Sequence, residues 1–200
     1  MIRKRTIASS TFMLAAVIAA SSSLCLAEPQ TWQIDPNHTA AQFSVKHLGI
    51  STVRGQFEKA TGTVTFDPSD PSKTSLDVTI DASTVNTRVQ MRDNDLRSPH
   101  FLDVAKYPTI TFKSTRAESA GAGKLRVTGD LTIHGVTKPV VLDVDASSQP
   151  INDPMGKGLR MGASANTKIN RNDFGITTMA GMVGDEIQIT LDVEMTRPAK

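Results

Sequence analysis

Cysteine, long apolar runs and aromatic side chains are all scarce in this chain, and each scarcity removes a class of protein. Cys25 is the single cysteine in 200 residues, so no intramolecular disulfide staples the fold and no thiol nucleophile follows it. The longest apolar run, residues 12–20, is well short of the roughly 20 residues that cross a bilayer as a helix. There is no G-x-S-x-G elbow and no H-E-x-x-H pair. The Gly-rich stretch 181–184 lacks the lysine of a P-loop, and Asp173-Phe174-Gly175 has no kinase companions. Hydrolase, kinase and zinc-protease chemistry are therefore without support, and the protein is expected to be neither an enzyme nor a holder of a metal or cofactor.

What is present begins with a leader. Arg3, Lys4 and Arg5 precede the apolar run, and Ala27 offers a small residue for cleavage, the layout of a secretory signal over residues 1–27. The remaining 28–200 would form one domain that folds on its hydrophobic core alone. The formal balance of 22 basic against 20 acidic residues loses three cations with the leader and becomes −1, which argues against nucleic acid as a partner. Export to a bacterial periplasm is the expected destination, with no membrane-spanning segment in the mature chain.

The dominant pattern has period two. Leu76, Val78 and Ile80 alternate with Asp77, Thr79 and Asp81, as in a half-buried strand. The same alternation runs through 42–46, 63–66, 125–133, 140–146 and 186–195, with Gly and Pro clusters between. The fold class is therefore all-β and antiparallel, and closure into a barrel would remove exposed strand edges; a filled two-sheet sandwich stays open. Residues 87–97 break the alternation and predict a short helix ahead of Ser98-Pro99, capping one end. The mature chain has eight aromatics, Trp32, Phe43, Phe57, Phe66, Phe101, Tyr107, Phe112 and Phe174, which is little filler for a closed barrel and hints at a cavity.

Candidate chemistry is thin. Asp93, Asp95, His100 and Asp103 form the one local cluster of possible ligands, and a solvated helix face explains it better. His47 shares the parity of Phe43 and Val45 and could point inward. His134 precedes Gly135, whose positive φ suits a tight hairpin; the turn explains this histidine more economically than a reactive centre. The apolar side is richer. Phe43, Val45, Phe57, Phe101, Phe112 and Phe174, with Met91, Met179 and Met182, could surround a long hydrocarbon or simply pack a core. Arg88, Arg92, Arg97 and Arg171 could line the mouth of a pocket or a solvated surface.

Five strings in order, Trp32–Thr39, Phe43–Phe57, Tyr107–Ser114, Asp130–Lys138 and Ile169–Gly175, resemble the YceI family across essentially all of residues 31–195. The resemblance implies an exported, lipocalin-like antiparallel β-barrel with an elongated internal tunnel and a short helical cap. It further implies binding, and carriage or sequestration, of a polyisoprenoid, an isoprenoid quinone or a similar long amphiphile. Under it the tunnel would take Phe43, Val45, Phe57, Phe101, Phe112 and Phe174, with Leu96 of the cap. Arg92, Asp93, Asn94 and Arg171, with Arg88, would meet a polar head. In the cap, Asp95 and His100 stand in the reverse of the expected order, which puts the accepted head group in question. A stress-response or partner-binding module with incidental lipid, a quinone-linked redox enzyme, and pairing into a homodimer are the alternatives that the sequence leaves open.

Overall fold

The structure, a computed structural model, describes residues 29–198 apart from 68, 147, 148 and 157; the expected leader, 1–27, lies outside the described residues. Twelve strands are present: β1 (Gln30–Ile34), β2 (Ala40–His47), β3 (Ser51–Phe57), β4 (Ala60–Phe66), β5 (Ser75–Asp81), β6 (Val85–Asn86), β7 (Thr109–Gly121), β8 (Lys124–Ile133), β9 (Val136–Asp145), β10 (Ile151–Asn152), β11 (Leu159–Asn170) and β12 (Val183–Arg197). One α-helix, α1 (Gln90–Arg97), interrupts them among the described residues. No helix among the described residues is long and apolar enough to cross a membrane.

Eight strands close on themselves in the order β1-β4-β5-β7-β8-β9-β11-β12, all antiparallel. Closure rests on β11 and β12, which pair from Leu159↔Arg197 to Asn170↔Glu186. A barrel rather than a sandwich is the result. Alternation decides which side chains face inward: in β8, Leu125, Val127, Leu131 and Ile133 are buried, while Lys124, Arg126 and Asp130 face out. Glycine at inward position 129 has a spatial reason, because a Cβ there would sit 2.4 Å from Phe112 Cζ.

The long β12 serves two partners in succession. Its C-terminal end pairs with β1 and its N-terminal two-thirds with β2, so β2, β3 and β6 extend the sheet away from the closed ring. The gap that this splaying opens between β6 and β7 is spanned by the segment 87–108, including α1. Leu96, Phe101, Leu102 and Val104 from that segment pack onto the main core. The opposite end is filled by a separate cluster of Trp32, Ile34, Met161 and Met195, with the Arg197 guanidinium 5.1 Å over the Trp32 ring.

Two expectations need amendment. The helix starts at Gln90 rather than 87, because Thr87 turns its backbone N–H and hydroxyl to the Asp93 carboxylate, and Arg92 grips the Thr87 hydroxyl and carbonyl. Residues 87–89 thus form the cap and not the first turn. His134 does more than precede its glycine: both central residues of the β8–β9 turn are left-handed, at φ 52° and 74°, as a type I′ hairpin requires. The Tyr107 ring covers Gly135, where a Cβ would meet Tyr107 Cε1 at 2.4 Å.

Candidate ligand-binding cavity

The barrel interior is hollow because its wall is built from side chains too small to meet across it. Ala41, Ala60, Ala163 and Ala165 alternate with branched aliphatic residues, and the sparse aromatics leave the middle unfilled. The resulting cavity has a volume of about 270 Å³. On β11, every second residue from Met161 to Ile169 lines it, followed by Arg171 just beyond the strand, and on β12 so do Ile187, Ile189, Leu191, Val193 and Met195. Ten residues of strand correspond to roughly 33 Å of contour, so the cavity runs much of the barrel's length from the Met161–Met195 floor to the capped end.

The wall is apolar throughout, with a few neutral polar residues such as Gln42, Thr111 and Thr167, and a single charged one among the described residues, Arg171. That guanidinium is 4% exposed and every N–H is spoken for. Its Nε donates to the Gly184 carbonyl, its Nη1 to those of Ile176 and Thr178, and its Nη2 to the Val183 carbonyl and the Asp185 carboxylate. The arginine therefore ties both the connection after the 3-10 turn, at Ile176 and Thr178, and the start of β12, at Val183–Asp185, to the end of β11, and a buried cation with all five donors used costs far less than a bare one. It presents its aliphatic stem to the cavity.

Of the apolar positions singled out from the sequence, Phe43, Val45, Phe57, Leu96, Phe101, Phe112 and Phe174 all lie in the wall. The Phe43 and Phe57 rings meet at 5.7 Å between centroids, a contact set by the Phe43↔Gly55 cross-strand pair. The methionines differ. Met91 lies on α1 at 82% exposure, and Met179 and Met182 sit in the turn ahead of β12, about half exposed; none belongs to the wall. Met179 is left-handed at φ 57° and its carbonyl accepts from the amides of Met182 and Val183, so this turn directs its side chains outward.

The polar positions divide as well. Arg92 and Asp93 are engaged by Thr87, as above. Asn94 accepts from Gln90 on the exposed side of α1, and Arg97 donates to the carbonyls of Ser83 and Val85, anchoring the helix to the β5–β6 connection. Arg88 is exposed. None of Arg88, Arg92, Asp93 and Asn94 reaches the wall. His100 Nδ1 lies 3.0 Å from Asp95 Oδ1 on the surface, so the inverted order of these two still gives one pair. His47 ends β2 at the rim and is not a wall residue.

The sequence missed much of the wall: Ile187, Ile189 and Leu191 of β12, Ile169 and Ala165 of β11, and Leu142 and Val144 of β9. Their parity was legible, but whether an inward residue borders a void or a neighbour depends on the opposite strand. A second group also escaped notice. Asp35, His38 and Glu194 have ligand-type atoms within 4.8 Å of one another, but Arg160 bridges Asp35 and Glu194 and also reaches Asp153. A metal ion would have to displace that guanidinium. The hydrogen bond from His38, then the Asn37 amide and Arg160, hold the Asp35 carboxyl below its ordinary range against the opposing effect of burial.

Comparison with known proteins adds to this geometry. The YceI-like domain model matches residues 32–195. Protein YceI of Salmonella arizonae is 40% identical over 185 residues, covering 92% of this chain and 94% of its own. The crystal structure of the Campylobacter jejuni YCEI protein superposes with a TM-score of 0.67 at 38% identity, covering 76% of this chain and 89% of that one. A polyisoprenoid binding domain from Saccharophagus degradans, implicated in plant cell wall breakdown, shares the fold at 16% identity with a TM-score of 0.62, covering 84% of this chain and 98% of its own.

Proposed function

The chain belongs to the YceI-like domain family, and on that premise we propose that it binds a polyisoprenoid chain, an isoprenoid quinone or a similar long amphiphile inside the barrel, without a catalytic step. The observation that carries this reading is the continuous apolar wall from Met161 and Met195 to Phe43 and Phe174, in which the one charged residue is fully engaged by the protein. Such a cavity offers nothing to a polar solute and a great deal to a hydrocarbon. Each buried CH₂-sized group contributes about 0.8 kcal/mol, so ten carbons contribute roughly 8 kcal/mol before the costs of immobilisation. The costs of association are subtracted from that figure, so affinity rises with the length of chain enclosed. The ligand of the Saccharophagus degradans neighbour supports the same choice of substrate class.

The polar head of such a ligand stays at the capped end, because the floor is sealed by the Trp32 cluster and the wall offers no free charge. Arg88 and Asn94 are exposed there and available to it, whereas Arg92, Asp93 and Arg171 hold loops in place. The protein works after export through its N-terminal signal, in the periplasm, where an enclosed prenyl chain could be carried or sequestered away from water. Delipidated protein incubated with a polyprenol, or separately with ubiquinone, and passed through gel filtration should retain about one molecule per barrel. Retention of neither overturns the reading.

A further inference from the structure

The capped end carries a second feature that the cavity does not use. Leu48 and Ile50, in the β2–β3 turn, are exposed, Ile50 at 84%, and Met179 and Met182 are exposed beside them. Backbone contacts fix these two sequence-distant turns against each other: the Leu48 amide donates to the Met182 carbonyl at 2.7 Å, and His47 pairs with Val183 across β2 and β12, while the Val183 amide closes the methionine turn on the Met179 carbonyl at 3.0 Å. Leu48 and Met179 are both left-handed, at φ 51° and 57°, where Gly or Asn would sit more easily. Four large apolar side chains are thus held outward on two turns joined by a backbone hydrogen bond.

Two neighbouring observations say what such a rim would meet. Val45 and Val183, just inside the same two turns, line the cavity, so the apolar tips continue the cavity wall to the outside. Lys46 and Arg54, exposed on the same hairpin, and Arg88 ahead of α1 take part in no ion pair among the described residues. The carboxylates closest in sequence to the methionine turn are already matched, Asp185 by Arg171 and Glu186 by Lys168. Apolar tips flanked by unpaired cations fit a bilayer with anionic head groups, into which the tips insert while the cations stay at the phosphate level.

We propose that the rim formed by Leu48, Ile50, Met179 and Met182 docks the protein onto an anionic lipid bilayer, with the cavity mouth turned to the membrane. The proposal extends the lipid-binding reading to the route by which cargo enters, but docking can be measured on the barrel without cargo. The test is flotation with vesicles of phosphatidylcholine alone or mixed with phosphatidylglycerol. Wild-type protein should float with the mixed vesicles, less so as salt rises. The double variant Leu48→Asn and Ile50→Ser should lose roughly tenfold or more of that partitioning, and Asn at 48 suits the left-handed backbone, so folding is preserved. Lys46→Gln with Arg54→Gln should flatten the salt dependence.

Both variants should still retain a polyprenol added from detergent. Wild-type protein that stays below the gradient with anionic vesicles, variants that float like wild type, or a dimer in sedimentation velocity that the Leu48/Ile50 variant abolishes would each overturn docking. Full flotation by a protein that retains no cargo would overturn the lipid-binding reading and leave docking standing.

Discussion

His134 Nδ1 lies 3.3 Å from the Phe174 carbonyl oxygen, which staples the β8–β9 turn to the 3-10 turn at residues 171–174. A carbonyl only accepts, so Nδ1 carries the proton, and the imidazole packs edge-on against Tyr107 with centroids 4.7 Å apart. The histidine is thus a structural clasp at the capped end. His134→Asn keeps a residue that tolerates φ 52° and should cost about 1 kcal/mol in urea unfolding, with polyprenol retention unchanged. His134→Val forces a β-branched residue into the left-handed region and loses the bond, and should cost roughly 2–4 kcal/mol.

Arg171 provides a sharper separation of structure from binding. Lysine at this position keeps the charge but has three donors for five acceptor contacts and no planar fork. Arg171→Lys should lower stability by about 2 kcal/mol or more, with or without ligand, and speed amide exchange across 176–185. A variant of full stability that fails only to bind a polar head would instead make the arginine a ligand contact.

Filling the cavity should block binding without unfolding the barrel. Ala165 faces the cavity between Leu191 and Val144 on its two partner strands. Ala165→Trp therefore puts its ring into empty space rather than into packed side chains, and the usual overpacking cost of roughly 1–3 kcal/mol should be small. Gel filtration with polyprenol should show retention lost while the thermal midpoint falls by a few degrees at most. Gly129→Ala makes the contrasting case: its Cβ meets Phe112 and the Lys113 carbonyl at 2.4 and 2.6 Å, so stability falls first.

Acid should weaken the fold through two carboxylates that the folded state holds low, the half-buried Asp35 and the buried Asp67. Asp35 is held below its ordinary value of 3.8 chiefly by His38, and Asp67 by the Ser69 hydroxyl and then its amide, with Lys73 adding a favourable charge. A carboxyl lowered in the folded state contributes stability above its unfolded value and loses it as pH falls through the folded one. The thermal midpoint should be flat from about pH 5 upward and drop below about pH 4. Asp35→Asn and Asp67→Asn should each lower the neutral-pH midpoint and shrink the acid drop; an unchanged profile in both would contradict the assignment.

The period-two runs located the major strands, because burial on one face dictates alternation whatever lies opposite. Closure was weaker in the sequence, since the β11–β12 pairing that seals the ring is a register relationship with no local signature. The aromatic wall, Phe43 to Phe174, was legible because large apolar residues at inward parity have few other places to go. The polar positions were not: Arg92, Asp93 and Arg171 look alike as charges near a mouth, and only the geometry of Thr87 and of five backbone and side-chain acceptors shows that they are engaged. Met91, Met179 and Met182 were drawn into the cavity by their chemistry, while Met91 stands on the exposed side of α1 and Met179 and Met182 on a turn outside the wall.

The most direct test of the central claim is native mass spectrometry of the protein purified gently from cells that export it, followed by organic extraction of whatever is released. The account predicts close to one prenyl chain or isoprenoid quinone per barrel, absent from the Ala165→Trp variant. A wild-type barrel that arrives empty, with nothing extractable, and that takes up none when offered it, would contradict the account.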